Sequence, residues 1–319
     1  MVRAAAILIL AVLDAAAAVY EIEGRITPPS EVSVTLHGAT MPFESATLSD
    51  GRGRFHFRKL LAGTYTVSVF EPERGEARLT VEVGPGVADR KGRVTVDLDL
   101  KNAGFEGRDQ GTTISASQLS IPDKAHREYE EAQKALSHPD VPAAVAHLKR
   151  AVEMAPQFST AWNQLGTIAY QQRKYPEAAG YFRKALAADK NSFEPLVNLG
   201  GVLLNLGKIS EALQYNRFAV LRRPNDALAN AQLGMSYFLS GNLDEAQKYL
   251  TISERLDPAH FSHPQLLLAE IHMRRGETAA AIAQLEDFLK RHPDDAEAPR
   301  AKEAIVRLRE EERDAAARK

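Results

Sequence analysis

The feature that most constrains the fold is an internal repeat. Residues 122–295 repeat with a period of 34, which lengthens once to 35 through an insertion near residues 259–263. Small residues hold two positions of this grid and proline a third, with Lys190 where one proline is missing: Ala144, Ala178, Ala212, Ala246, Ala281; Gly166, Gly200, Gly234, Ala269; Pro156, Pro224, Pro258, Pro293. A fixed period of this length predicts a solenoid, in which each unit buries its apolar face only against its neighbours.

The residue types on the grid resemble tetratricopeptide repeats. The second repeat matches best, although Ala169 stands where that family has Tyr: Trp162, Leu165, Gly166, Ala178, Phe182, Ala185. The resemblance implies two antiparallel helices per repeat, so residues 122–295 are predicted to form an α-solenoid of about five helix-turn-helix units. Residues 296–319 are predicted to add a charged capping helix, with Ala304, Ile305, Val306 and Leu308 on one side.

Residues 19–101 have a period of two instead. Six short segments alternate apolar and polar residues, and Gly- and Pro-containing turn signals separate them. This pattern predicts six or seven half-buried strands in a small β-sandwich. The fold class is therefore predicted to be multidomain, all-β followed by all-α.

The central part of this β-domain contains a more specific pattern. Residues 50–55 read D-G-R-G-R-F, and residues 62–65 read A-G-T-Y. They resemble the carboxypeptidase regulatory-like family, whose transthyretin-like β-sandwich is an accessory module and not a peptidase. The resemblance covers residues 20–100 and places Phe55, Phe57 and Tyr65 in the core of the sandwich.

The N-terminal residues have the layout of a secretory signal peptide. Arg3 precedes an apolar run of ten residues, Asp14 interrupts that run, and small residues follow it. We predict cleavage after Ala17 or Ala18, with an uncleaved anchor as the alternative. The mature chain would then be periplasmic or extracellular and would have no membrane span. Residues 102–121 are Gly-rich and polar, which predicts a linker that lets the two domains move relative to each other.

In tetratricopeptide repeats, the first helix of each repeat lines a concave groove. The resemblance therefore implies that this groove binds a protein or peptide through a polar part and an apolar part: Asn163, Gln164, Tyr170, Asn198, Asn205, Gln232, Met235, Phe238. Amide side chains both donate and accept hydrogen bonds, which suits recognition of a peptide backbone. Some family members hold a partner's carboxylate with Lys and Arg. The corresponding residues here are Tyr129, Gln133, Asn163 and Gln164, so we predict no such clamp.

Other functions find little support in the sequence. It has no cysteine, and its net charge is −2 from 40 Lys+Arg against 42 Asp+Glu, so no nucleic-acid partner is predicted. No catalytic, phosphate-binding or zinc-binding motif occurs, so we predict neither an enzyme, nor a cofactor, nor a metal site. His260 and His263 near Asp257 are interpreted as turn and surface residues. His37 and His56 are interpreted as surface or hydrogen-bonded histidines.

The sequence thus predicts a non-enzymatic, exported scaffold or adaptor. A protein or peptide would bind in the groove of the repeats, and the β-sandwich would be an accessory interaction module. The alternative is a glycan- or cell-wall-binding module that acts through the β-sandwich. Sugar binding usually requires exposed flat aromatic rings, and the β-domain has no tryptophan, which counts against that alternative.

Overall fold

The computed structural model describes residues 19–71, 75–101, 120–138 and 140–317, and side chains up to residue 314. The predicted signal peptide, residues 1–18, lies outside the described residues. So does most of the predicted linker, namely residues 102–119.

Seven strands form two sheets in the described part of the β-domain: β1 Tyr20–Thr27, β2 Ser33–Gly38, β3 Glu44–Leu48, β4 Arg54–Leu60, β5 Gly63–Glu71, β6 Gly75–Val83 and β7 Arg93–Asp99. The three-stranded sheet has the order β4-β1-β7, and the four-stranded sheet has the order β3-β2-β5-β6. Strand β1 pairs antiparallel with β4 and parallel with β7. The four-stranded sheet is antiparallel throughout.

Both sheets bury one face in a shared core. Phe55, Phe57 and Tyr65 lie in that core, as the sequence predicts. The Tyr65 hydroxyl donates a hydrogen bond to the Leu61 carbonyl oxygen at 2.9 Å, which satisfies the buried phenol. Burial raises the pKa of Tyr65 to about 12.

Eleven helices follow in the described residues: α1 Asp123–Ser137, α2 Val141–Met154, α3 Ser159–Gln171, α4 Tyr175–Ala188, α5 Phe193–Asn205, α6 Ile209–Arg222, α7 Ala227–Leu239, α8 Leu243–Leu256, α9 Pro264–Arg274, α10 Thr278–Arg291 and α11 Ala298–Ala317. The first ten pack as five helical hairpins, which confirms the predicted solenoid. The first helices of neighbouring repeats also contact one another, as α3 does with α5 and α5 with α7. These first helices therefore lie on the inner side of the array.

The glycine grid has a packing cause. A Cβ atom on Gly166 would lie 2.5 Å from Phe182 Cε1, and one on Gly234 would lie 2.7 Å from Leu250 Cγ. The two helices of a repeat thus approach too closely for any side chain at this position.

Helix α11 packs on the last repeat, and Ile305 and Leu308 are buried there. Val306 was predicted on the same side, but its side chain is 55% exposed. That prediction was wrong because residue 306 lies about 100° around the helix from residue 305.

The four-stranded sheet lies against the solenoid. Alternation leaves a polar outer face on this sheet, yet Thr64, Ser68 and Thr80 on that face are only 4–7% exposed. Hydrogen bonds from β2, β3 and β6 reach the helical domain over its whole length, from α1 to the residues after α10. The two domains are therefore in contact in this structure, and their relative movement stays a prediction. We call this polar outer face the docking face.

Candidate functional site: the concave groove

The first part of the groove binds a carboxylate of the chain itself. Gln133 Nε2 on α1 donates to Glu44 Oε1 at 3.1 Å, and Gln164 Nε2 on α3 donates to Glu44 Oε2 at 3.2 Å. Burial, together with the charge of Glu44, raises the pKa of the neighbouring Tyr129. No Lys or Arg occupies these positions, as the sequence shows, but the two amides hold one carboxylate between them.

A third glutamine of the groove binds polypeptide backbone. Gln171 Nε2, at the end of α3, donates to the carbonyl oxygen of Gly38 at 2.9 Å. This is the kind of contact predicted for amides in the groove, and the polypeptide that receives it is strand β2. The first part of the groove is thus occupied by the chain's own β-domain.

Strand β6 runs along the loops that join one repeat to the next. Its outward side chains, at every second residue, are about 7 Å apart and meet successive loops. Arg78 lies 3.5 Å from Glu194 and 3.8 Å from Asp226, at the starts of α5 and α7. Thr80 bonds Asp257 after α8, and Glu82 lies 3.1 Å from His292 after α10. One strand therefore contacts three consecutive repeats.

Arg78 contacts acidic residues of both domains at this interface. Its guanidinium donates to Glu76 at 2.7 Å on its own strand and reaches Glu194, which Arg223 also contacts at 3.1 Å. Burial by itself would lower the pKa of Arg78, but Glu76, Asp226 and Glu194 together raise it. The guanidinium thus remains charged and holds acidic groups from both domains.

Further hydrogen bonds join the β-domain to the C-terminal end of the repeat array. Thr80 donates to Asp257 Oδ2 from its backbone N–H at 3.1 Å and from its hydroxyl at 2.5 Å. The backbone N–H of Gly86 donates to Asp294 Oδ2 at 2.7 Å. Burial raises the pKa of Asp257, since its charged form is removed from water.

Four of the eight predicted groove residues bond one another rather than the β-domain. Asn198 Nδ2 donates to Asn163 Oδ1 at 3.1 Å, and Asn205 Nδ2 donates to the Tyr170 hydroxyl at 3.2 Å. Each of these pairs joins neighbouring repeats, and burial raises the pKa of Tyr170. Gln164 alone of the eight has a described hydrogen bond to the β-domain.

The remaining three residues of the predicted set pack within the array. Met235 packs against the core between the second and third repeats, and Phe238 lies beneath the guanidinium of Arg274 at 4.6 Å. Gln232 fills the space beside Gly201, where a Cβ would come within 2.5 Å of its Nε2. The structure therefore brings these residues to the groove wall, but as contacts between repeats.

The sequence analysis missed the loop residues that hold β6. Arg223, Asp257 and His292 share one grid position, the residue directly before the repeated proline, and Ala155 and Asp189 hold it in the first two repeats. Asp257 and His292 are at most 4% exposed. Charged or polar residues at this repeated position were the feature of the sequence that could have indicated these contacts.

The histidines near this end correct another interpretation. His260 is 3% exposed, so it is a buried residue and not a surface one. Its Nδ1 accepts the Ser262 backbone N–H at 3.2 Å. His37 is mostly buried, and burial lowers its pKa.

The outer face of the three-stranded sheet is charged. Glu21, Glu23 and His56 come close enough there for their ligand atoms to lie within 4.8 Å of one another. Arginines already contact this group, since Arg58 Nε donates to His56 Nδ1 at 3.1 Å and Arg93 lies 3.5 Å from Glu23. Within the described residues, no helix is both long and apolar enough to cross a membrane.

The paired helices and their inner groove define a binding solenoid. Four family models, each described as tetratricopeptide repeat, match residues 124–193, 169–231, 227–260 and 262–298. Residue 261, between the last two matches, lies within the predicted insertion. The helical region is therefore a tetratricopeptide-repeat array, which belongs to a class of non-catalytic scaffolds.

Curated relatives match slightly less than half of this chain. Anaphase-promoting complex subunit 7 of Arabidopsis thaliana is 29% identical over 159 residues, which are 49% of this chain and 28% of that protein. The human cell division cycle protein 16 homolog is 30% identical over 151 residues, which are 44% of this chain and 24% of that protein. The chain thus spans about a quarter of the length of these relatives.

Solved structures share the helical fold. The Pseudomonas aeruginosa protein pilF is 24% identical, with a TM-score of 0.51 over 61% of this chain and 88% of that chain. YrrB, described as a tetratricopeptide-repeat protein with an unusual peptide-binding site, is 26% identical, with a TM-score of 0.46 over 59% of this chain and 98% of that chain.

Proposed function

We propose that this chain is a non-enzymatic, exported scaffold that binds a protein or peptide partner in the concave groove of its repeats. The β-domain is the intramolecular occupant of that groove and an accessory interaction module. Export is supported by the signal-peptide pattern of residues 1–18. The similarity of about half of this chain to anaphase-promoting complex subunit 7 supports a scaffolding role.

One observation carries this proposal: the groove already binds polypeptide. Gln171 holds a backbone carbonyl, and Gln133 and Gln164 hold the Glu44 carboxylate. A partner that presents a backbone carbonyl and an acidic side chain at the same spacing would make the same bonds. Such a partner competes with β2 and β3 for the groove.

The interface is suited to exchange. Its described contacts are hydrogen bonds and ion pairs of polar side chains and of the backbone, and polar interfaces are typical of domains that separate. An apolar interface would lose its stabilisation on opening, whereas these polar groups regain hydrogen bonds with water. A competitor can therefore displace the docked β-domain from the groove.

The β-domain is proposed to be of the carboxypeptidase regulatory-like type. Asp50 of the D-G-R-G-R-F turn accepts the backbone N–H groups of Arg52 and Arg54, each at 2.9 Å, so the motif forms a closed turn before β4. The hydrogen bond from the Arg54 side chain is the main cause that lowers the pKa of Asp50 to about 2.

A glycan-binding role for this domain is the weaker alternative. Most of the docking face is covered, although Phe70 near the end of β5 is 46% exposed. The described strands of the other sheet expose charged residues such as Glu23, Arg54 and Asp97 but no Phe, Tyr or Trp. A sugar would find no stacking surface there.

An engineered disulfide that links the two domains tests the proposal. An ideal Cβ on Gly84 lies 3.8 Å from Asp294 Cβ, which is the mean separation in a disulfide, and the chain has no other cysteine. The Gly84→Cys/Asp294→Cys variant is oxidised or reduced, and its partners from the exported fraction are captured and identified by mass spectrometry. We expect a groove partner, confirmed by titration of the purified components, to bind the reduced form and to be lost from the oxidised form. Equal binding of every partner to both forms would remove the groove as the binding site.

A further inference from the structure

Two large apolar side chains are exposed on one face of helix α6. Phe218 is 50% exposed and Leu221 is 78% exposed. They lie three residues apart, so they share one side of the helix. The buried residues of α6, such as Ala212 and Ala219, face the array instead. We call Phe218 and Leu221 the apolar pair.

The apolar pair lies on the convex side of the solenoid. The second helices of neighbouring repeats contact one another less than the first helices do, so they diverge on the outer side of the array. Helix α6 is the third of the five second helices, which are α2, α4, α6, α8 and α10. The apolar pair is therefore near the middle of a convex arc, which is the part that a flat surface meets first.

Basic residues surround the apolar pair. The C-terminal halves of α4, α6 and α8, residues 180–188, 214–222 and 248–256, contain six basic residues and one acidic residue: Arg183, Lys184, Arg217, Arg222, Lys248, Arg255 and Glu254. The 34-residue period places Lys184 and Arg255 level with the apolar pair on the two neighbouring helices. The whole chain has a net charge of −2, so this positive surface is local.

The position of these cations has a structural cause, but the apolar pair does not share it. Basic residues near the C-terminus of a helix stabilise its dipole, and Arg183 and Lys248 also have ion-pair partners. Lys184, Arg217 and Arg255 are exposed and form no ion pair within the described residues. Exposed apolar side chains with a polar rim mark sites of protein or membrane interaction.

We propose that this surface binds the plane of a bilayer that contains anionic phospholipids. The apolar pair enters the headgroup region, and the basic residues around it contact the lipid phosphates. Each Lys or Arg close to an anionic bilayer strengthens binding about fivefold. A flat bilayer fits a convex surface, whereas peptides and helices bury their side chains in grooves.

Membrane attachment through α6 goes beyond partner binding in the groove. The first helices line the groove, and the apolar pair lies on a second helix, on the opposite side of the array. An attached chain would thus present its groove and its docked β-domain away from the bilayer. The two functions use different residues, so each can fail in an experiment without the other.

Sedimentation with lipid vesicles tests the proposal. The protein is used without residues 1–18, because their apolar run would bind lipid by itself. We expect it to sediment with vesicles of phosphatidylglycerol and phosphatidylcholine and to remain in solution with vesicles of phosphatidylcholine alone. Sedimentation with neither kind of vesicle, or equally with both, would overturn the proposal.

Matched variants assign the binding to α6. Phe218→Ser with Leu221→Ser keeps every charge and should weaken binding about tenfold, since two apolar side chains no longer leave water. Leu48→Ser is the control, because Leu48 on β3 is 74% exposed and lies in the other domain. It should bind like the wild type, and far-UV circular dichroism should show intact helices in all variants. An unchanged affinity of the double variant would overturn the proposal.

The charge contribution is tested separately. Arg255→Gln removes an exposed cation that has no ion-pair partner within the described residues, and it should weaken binding to the anionic vesicles about fivefold. An unchanged affinity would show that the basic residues do not face the lipid.

A tryptophan at residue 218 reports insertion directly. Lipids brominated on their acyl chains should quench the emission of Phe218→Trp more strongly than that of the wild type, whose only tryptophan is Trp162. Binding without this additional quenching would indicate a purely electrostatic contact, which an acidic protein could also make, and would overturn the proposal. A wild-type dimer in solution that becomes a monomer in the serine double variant would assign the apolar pair to a second copy of the chain, with the same consequence.

Discussion

Thr80 and Asp257 are 177 residues apart in sequence, yet two donors of Thr80 bind one carboxylate oxygen of Asp257. Both residues are 4% exposed. This contact joins the middle of β6 to the loop before the last repeat and excludes water from a charged group. The two domains are thus held together by a buried hydrogen-bonded pair as well as by surface contacts.

Removing the Thr80 hydroxyl should weaken docking. Thr80→Val leaves the buried Asp257 carboxylate with one donor fewer, and we expect a loss of about 1–3 kcal/mol in the free energy of docking. Asp257→Asn should cost less, because the amide oxygen still accepts both bonds and the buried charge is gone. Energy transfer between dyes attached at Lys91→Cys and Glu303→Cys, two exposed positions in the two domains, measures both losses. A larger loss in Asp257→Asn would contradict the account.

Arg78 should be important for docking because it contacts acidic groups of both domains. Arg78→Met leaves Glu194 and Asp226 facing Glu76 without the cation between them. We expect a loss of about 1–2 kcal/mol, reduced from that of a fully buried pair because a third of the side chain is exposed. Arg93→Met is the matched control on the exposed sheet and should leave docking unchanged. Equal effects of the two substitutions would show that the Arg78 contacts do not form.

The glycine grid gives a stability test within one repeat. Gly166→Ala would drive a methyl group into the buried ring of Phe182 and should lower the free energy of unfolding by about 1–3 kcal/mol. Gly180→Ala, in the middle of α4, meets no atom within 4 Å and should instead stabilise the helix by about 1 kcal/mol. Thermal unfolding of both variants measures these changes in stability. Destabilisation by Gly180→Ala would contradict the packing described.

The contact of Glu44 with Gln164 predicts coupling between distant residues. In a double-mutant cycle, Glu44→Ala and Gln164→Ala should show a coupling energy of about 0.5–1.5 kcal/mol in docking. Glu44→Ala with Asn205→Ala is the control, since Asn205 bonds Tyr170 and Gly201 instead. Additive effects in both cycles would place Glu44 outside the groove.

Local patterns predicted the elements but not how the two domains meet. The 34-residue grid fixed the helical hairpins because each small grid residue reports a helix contact inside its own repeat. Strand alternation placed Phe55 and Tyr65 in the sandwich core for the same local reason. The outer threonines, such as Thr64 and Thr80, fit a solvated sheet equally well. Only the tertiary contact shows that helices cover them.

The groove amides show the same limit. Asn163 and Asn198 lie at groove positions, as the resemblance implies, but their offset of 35 residues brings them together between repeats. A sequence pattern gives the side of the helix on which an amide lies. It does not say whether the neighbouring repeat or a ligand will satisfy that amide.

Formation of the disulfide between Gly84→Cys and Asp294→Cys tests the docked arrangement most directly. If the β-domain occupies the groove, mild oxidation of the dilute protein at pH 7.5 should give an intramolecular cross-link in nearly every molecule. A mobility shift without reductant and the linked peptides in mass spectrometry would show it. The Gly84→Cys/Glu130→Cys pair, with its second cysteine exposed on α1, should not close. Intermolecular products alone, or equal closure of both pairs, would contradict the account.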